Sequence, residues 1–400
     1  MSSPHLEPRQ LETLDKLVSI PSPSGQEQEI LRFIEERLSG VGECRITKQR
    51  VDEERWNLIV QKGAQEGFTI MLYAHVDSVL RRSSWENDYR FDISADRQRA
   101  RGVKVYDMGA GVMILMEIMQ TVNVPDGIRV VSVFGVGEEA KSEGASELMK
   151  WEGMKHVDLI LSPEIATLDR EERDNPKDVV IARCGILKTW MHINVPGGHG
   201  YKKGVPNAIA AAIEIRNHLM EKFYIAKRRH ALVGEEDFEE ASMAALQGDG
   251  LEKATDAELC LRHFLVPGNS LSSALEWQME CARELARLKN WSKSRINFEM
   301  GQRNDRRSYE PFVVDTNSEV MKHLLQGVDH TFGGHVLVGG GSPADSNIFS
   351  TLNKPMAEIG PVGGDAHLGT EWVDLSSIAR TLSCYKTLIN QYIPSVVNHR

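Results

Sequence analysis

The sequence has no excess of positive charge: 47 lysines and arginines stand against 57 aspartates and glutamates, a formal net charge of −10. General nucleic-acid binding needs the opposite balance and is set aside. Also missing is any apolar run near the ~18 residues that would suggest a membrane-spanning helix. The most apolar segments, 68–74 and 128–136, have the length of buried strands. The 5 cysteines, Cys44, Cys184, Cys260, Cys281 and Cys384, are odd in number and scattered, with no Cys-x-x-Cys pair. Neither a disulfide framework nor a thiolate metal site is expected, and buried reduced thiols are the plain reading. The opening MSSPHLEPRQ is polar and lacks the apolar region of a signal peptide, so the cytoplasm is the expected compartment. Internal repeats and low-complexity tracts are absent, and the basic clusters at 227–229 and 303–307 are short enough to be solvated faces. What remains is an ordinary globular composition, 41% hydrophobic and 26% charged. A chain of 400 residues has room for two or three domains at roughly 100–200 residues each.

Hydrophobic periodicity alternates between helix and strand along the first part of the chain. Helical spacing occupies 11–19 and 27–38, strand patterns 57–61, 68–74, 128–134 and 157–161, and helical spacing again 141–150. GAGVMILMEIMQ, just after Asp107, is apolar nearly all round, which predicts a helix packed between layers. The order predicts an α/β domain with a mainly parallel sheet. From Ile186 the pattern changes to a strand at 186–195, a helix at 207–221, an acidic stretch at 234–240, a strand near 258–264, a helix at 271–288 and a strand at 294–300. That order resembles a ferredoxin-like α+β unit. After Tyr309 the alternation returns, so the expected organisation is one discontinuous domain, 1–185 with 310–400, carrying an insertion over 186–309.

Residues able to ligate metal follow the ends of successive α/β strands, where open sheets bind their ligands. AHVDSV presents His75 and Asp77, the second placed to accept the imidazole's other N–H. RGVKVYDMGAGV places Asp107 before a helix, GVGEEAKSEG places Glu138 and Glu139 side by side, SPE carries Glu164, and GPVGGDAHLGTE carries His367. Taken singly, each has an ordinary alternative: a surface turn, an N-cap, an acidic first helical turn. Taken together, they form a mixed His/carboxylate set that suits two zinc ions bridged by one carboxylate, with charge balanced by three carboxylates and a hydroxide. One acid of the adjacent pair is left over as a general base.

The ordered motifs LVSIPSPSGQEQEI, YAHVDSV, RGVKVYDMGAG, GEEAKSEGA, SPEIA and GPVGGDAHLGTEWV resemble the co-catalytic zinc exopeptidases and N-acyl-amino-acid hydrolases over nearly the whole chain. That family includes acetylornithine deacetylase, succinyl-diaminopimelate desuccinylase, aminoacylase, peptidase T and glutamate carboxypeptidase. The resemblance implies a three-layer catalytic domain with an inserted ferredoxin-like lid. It implies that His75, Asp107 and Glu164 hold one zinc and Asp107, Glu139 and His367 the other, cobalt or manganese being possible substitutes. Asp77 would orient His75, and Glu138 would act as base and then acid as a zinc-bound hydroxide attacks an amide. GGHGYKKGVPNAIAAA resembles the family's lid element and places its histidine at His199, which in relatives crosses a homodimer interface formed through the lid to help hold the oxyanion. LRHFLVPGNS places a substrate-carboxylate arginine at Arg262, while Arg303, Arg306 and Arg307 form either further counter-charge or a solvated linker. Three departures stand out: the long spacing from Gly102 to Asp107, Cys260 where an aspartate is usual, and the expanded GGGSPADSNIF. In that family Glu, not Asp, at the position of Glu164 is more typical of deacylases and carboxypeptidases, so the resemblance implies an N-acyl amino acid or short peptide cleaved beside a free carboxylate. A di- or tripeptidase needing a free amino terminus, a lid-less aminopeptidase and a non-catalytic binding homologue are the alternatives.

Overall fold

The computed structural model of the chain describes residues 5–80, 89–165, 167–168, 171–172, 175–197, 205–247, 253–303 and 307–397. It divides into two compact units, 1–182 with 313–400, and 183–312.

In the first unit, strand Phe68–His75 lies between Ile128–Gly135 and Val157–Ser162, parallel to both, and Met356–Glu358 extends the parallel set beside Val157–Ser162. Every residue of Phe68–His75 is buried, as a strand covered on both faces requires. Antiparallel strands flank this core, among them the hairpin of Arg45–Arg50 with Trp56–Gly63. Arg45–Arg50 has a single apolar residue, Ile46, among half-buried and exposed polar ones and so no apolar alternation, and the sequence pattern passes over it. Helix Ala110–Thr121 is buried along Ala110–Met119, the placement that its apolar circumference predicts. The parallel strands all end on one side of the sheet, and the turns leaving them carry the site.

The second unit is an antiparallel sheet with the spatial order Asp237–Gln247, Asp256–Leu265, Gly185–Asn194, Asn297–Gln302. Helices Ala208–Ala226 and Leu271–Leu288 connect its strands in the ferredoxin-like sequence. Asn207 and Ser270 cap those helices by accepting from the amides of Ala210 and Ser273. One sheet face buries Met191, Ile193, Leu259 and Leu261 against Ile215, Leu219 and Phe223. The acidic stretch around 234–240 is divided between the short strand Gly234–Glu235 and the edge strand that begins at Asp237; Asp237, Glu239 and Glu240 are half-buried, while Glu236 is buried.

Candidate metal centre

Strand Phe68–His75 delivers His75 to the end of the sheet, where it is 1% exposed. Its Nε2 lies 3.0 Å from Asp107 Oδ1 and 4.0 Å from Glu164 Oε2, and its Nδ1 lies 3.4 Å from Asp77 Oδ1. Asp107 Oδ2, on the other side of the same carboxylate, lies 3.1 Å from His367 Nε2, and that nitrogen is 3.0 Å from Glu139 Oε2. Two donor groups result, His75 with Asp107 and Glu164, and Asp107 with Glu139 and His367, each able to bring one ligand atom per residue within 4.8 Å of the others. Asp107 belongs to both.

Local geometry explains why Asp107 reaches two imidazoles instead of capping a helix. Its backbone is not helical, with φ −108° and ψ 90°, and the following helix starts only at Ala110 with Gly109 at its cap. The N-cap reading of Asp107 is therefore corrected. The acidic-first-turn reading of Glu138 and Glu139 fails similarly, because that helix is Glu143–Leu148 and the pair lies in the turn before it.

Asp77 is fully buried and organises two parts of the site at once. Besides facing His75, its Oδ1 accepts from the Glu138 amide at 3.1 Å, while Oδ2 accepts from the Glu139 amide at 3.0 Å and from Ser24 Oγ at 2.7 Å. Ser24 lies in PSPSGQ, a segment whose sequence signals only a break between helices. Neighbouring Ser22 donates to the carbonyl of Val76 at 2.8 Å, which ties that break to the turn bearing the site. Glu371 and Asp345 are further buried acids that sequence reasoning did not single out. Glu371 accepts from backbone amides of the Asp107 loop, and Asp345 accepts from the hydroxyl of Tyr73. The only local signal for Glu371 is its place in the motif that carries His367.

Electrostatics follow from this crowding. Burial works against a charged His75, but hydrogen bonds to Asp107 and Asp77 together with the Glu164 charge outweigh it and raise its pKa. Hydrogen bonds that its ring N–H donates to Asp107 and Glu139 push His367 up to about 11. Asp107 is driven the other way: burial opposes its charge, yet the hydrogen bonds to His367 and His75 hold it well below the ordinary range. Glu139 rises to about 7 through burial and the adjacent Asp107 charge, and burial with the Asp345, Glu139 and Glu164 charges raises Glu138.

The donor set fits a pair of divalent cations. Asp107, Glu138, Glu139 and Glu164 converge with His75 and His367 as the immediate counter-groups, and enclosed carboxylates are costly unless cations neutralise them. Imidazole and carboxylate are zinc's ordinary nitrogen and oxygen ligands, and a carboxylate with its two oxygens facing opposite donors is built to bridge. Arg262 lies on strand Asp256–Leu265 of the second unit, where it pairs with Glu239 at 2.7 Å. His199 and Arg306 lie outside the described residues.

The sequence model of peptidase family M20/M25/M40 matches residues 71–391. The chain belongs to this family. It is a metal-dependent hydrolase of the M20 type, and the M20 fold, a mixed α/β catalytic domain with an inserted domain, is the one described above. A tripeptidase from Staphylococcus aureus subsp. aureus mu50 superposes with a TM-score of 0.78 at 16% identity, over 98% of this chain and 99% of that one. An M20 family metallo-carboxypeptidase from Sulfolobus solfataricus gives 0.72 at 14%, over 97% and 100%. A dinuclear metal binding peptidase of the M20 family from Bacillus subtilis gives 0.68 at 14%, over 98% of both chains. At these identities the likeness is one of fold. A search of curated protein sequences finds no match. Among the described residues no helix is long and apolar enough to cross a membrane.

Proposed function

We propose that this M20 chain is a dinuclear zinc hydrolase that cleaves an amide bond beside a free carboxylate, as an N-acyl-amino-acid deacylase or a carboxypeptidase. The observation that carries the dinuclear reading is Asp107, one carboxylate shared by two donor groups. His75, Asp107 and Glu164 would hold one zinc, and Asp107, Glu139 and His367 the other. Bound there, such cations lower the pKa of a water toward about 7 and polarise a carbonyl. Glu138 belongs to neither donor group yet adjoins both, which is where a carboxylate that takes a proton and returns it to the leaving amine must sit. Asp77 fixes the tautomer of His75. His199 would help hold the tetrahedral oxyanion, acting across a homodimer formed through the inserted unit. A cytoplasmic setting is part of this reading, in keeping with cysteines that are odd in number and scattered in the sequence with no Cys-x-x-Cys pair.

Support for a substrate carboxylate comes from the inserted unit. Lys188, Arg262 and Arg303 line one open recess of about 570 Å³ together with Glu258; Arg262 pairs with Glu239 at 2.7 Å and Arg303 with Glu258 at 3.4 Å, so an anionic group would bind there by competing for those guanidinium groups. The tripeptidase likeness favours a second reading, a di- or tripeptidase that requires a free amino terminus.

The test is metal content per chain after purification without chelator, combined with turnover of N-acetyl amino acids and unblocked dipeptides after zinc or cobalt addition. Two cations with cleavage of the blocked substrates supports the proposal. Preference for unblocked dipeptides moves the assignment to the peptidase, and fewer than two cations refutes the dinuclear site.

A further inference from the structure

The loop that bears Asp107 is wound around one side chain. Glu371 is 2% exposed, and its carboxylate accepts three backbone N–H groups: Lys104 to Oε2 at 3.0 Å, and Tyr106 and Asp107 to Oε1 at 2.8 Å each. Its main-chain carbonyl accepts a further bond from the Gly102 amide at 3.1 Å. These donors sit in a stretch without a regular ladder, where Lys104 has a left-handed φ of +59° and Asp107 a non-helical backbone. Buried amides in such a stretch need an acceptor from elsewhere. Glu371 is that acceptor, and the adjoining strand Trp372–Asp374 pairs with Arg99–Arg101 to hold it in place.

We propose that Glu371 is the positioning residue of the bridging ligand. By fixing the amide of Asp107 it fixes where that carboxylate lies between His75 and His367, and so sets affinity for the second cation. The inference rests on the dinuclear reading above. His367 and Glu371 share one short segment, so that segment supplies one ligand and aligns another. Chemistry demands a carboxylate at this point. A glutamine would offer one oxygen and turn its NH2 toward a backbone donor.

The experiment compares wild type, Glu371→Gln and Glu371→Asp, stripped of metal and titrated calorimetrically with Co²⁺ alone, with kcat and KM measured at each loading. For Glu371→Gln, affinity for the weaker-bound Co²⁺ should fall about 10–100-fold, the range seen when groups that orient metal ligands are removed. Saturating turnover should fall while KM stays within about twofold, and raising Co²⁺ should recover part of the turnover. Glu371→Asp keeps the charge with a shorter reach and should lie between the two. If Glu371→Gln does not fold, the folded aspartate variant decides by the same titration. Wild-type Co²⁺ affinity with unchanged kcat in a folded variant overturns the assignment, as does a loss of thermal stability with Co²⁺ binding intact. A wild type that takes up fewer than two Co²⁺ overturns the dinuclear reading and this inference together; two in wild type, with the weaker-bound one held at wild-type affinity in the variants, overturns the positioning role alone.

Discussion

The backbone N–H of Glu138 donates to Asp77 Oδ1 at 3.1 Å, so the proposed proton-transfer acid hangs from the acid that faces His75. Asp77 thereby fixes an imidazole, the turn of the Glu138–Glu139 pair and, through Ser24, the amino-terminal break. A shift at any one of these points would be felt at the other two.

Replacing Glu138 with glutamine should remove proton transfer and leave the donor groups intact. We expect kcat to fall by about 10²–10⁴, the span of general acid–base contributions, with full metal content by elemental analysis. Unchanged kcat would refute its role.

Asp77→Asn should disturb the metal site without touching a proposed ligand. An amide offers one acceptor oxygen to a position that now receives the Glu138 and Glu139 amides and the Ser24 hydroxyl. Cation affinity should drop about 10–100-fold in calorimetric titration. Undiminished affinity would show that the carboxylate serves folding alone.

Cation uptake should release protons. With the His367 pKa raised to about 11, its favourable pairing in the metal-free protein is fully present below the ordinary value of 6.5 and is lost only as pH rises through about 11. His367 is half exposed, so solvent screening keeps that contribution small. A metal needs the neutral imidazole, so binding must displace the proton, and affinity should climb as pH rises from about 6 to 8. Titrations in two buffers of different ionisation enthalpy measure the release. Buffer-independent heats would mean that His367 is already neutral.

Arg262→Ala should act on substrate recognition. Loss of a charge-assisted hydrogen bond, worth about 1.5–3 kcal/mol, predicts a roughly 10–100-fold rise in KM for substrates with a free carboxylate and little change in kcat. Steady-state kinetics on paired free-acid and amide substrates measures this. An equal effect on both members of a pair would place Arg262 away from the carboxylate.

Much of the molecule was legible in the residue order because its signals are local. Apolar runs of strand length marked Phe68–His75, Ile128–Gly135 and Val157–Ser162, and the change of pattern near Ile186 marked the inserted unit. The edge strand Arg45–Arg50 was not legible, since its polar face carries no alternation. Nor were Ser24, Asp345 and Glu371, whose partners are remote in sequence.

By itself the sequence determined the types and order of the metal-capable side chains, His75, Asp107, Glu139, Glu164 and His367, because each follows a strand or motif that announces itself locally. Only the tertiary structure decided that Asp107 turns away from its helix to face two imidazoles, and that Glu371 gathers the amides of its loop. Those relations join residues whose separations, 264 positions for Glu371 and Asp107, leave no periodicity to read. They exist because buried amides and carboxylates must find partners, and folding chooses which partners come within reach.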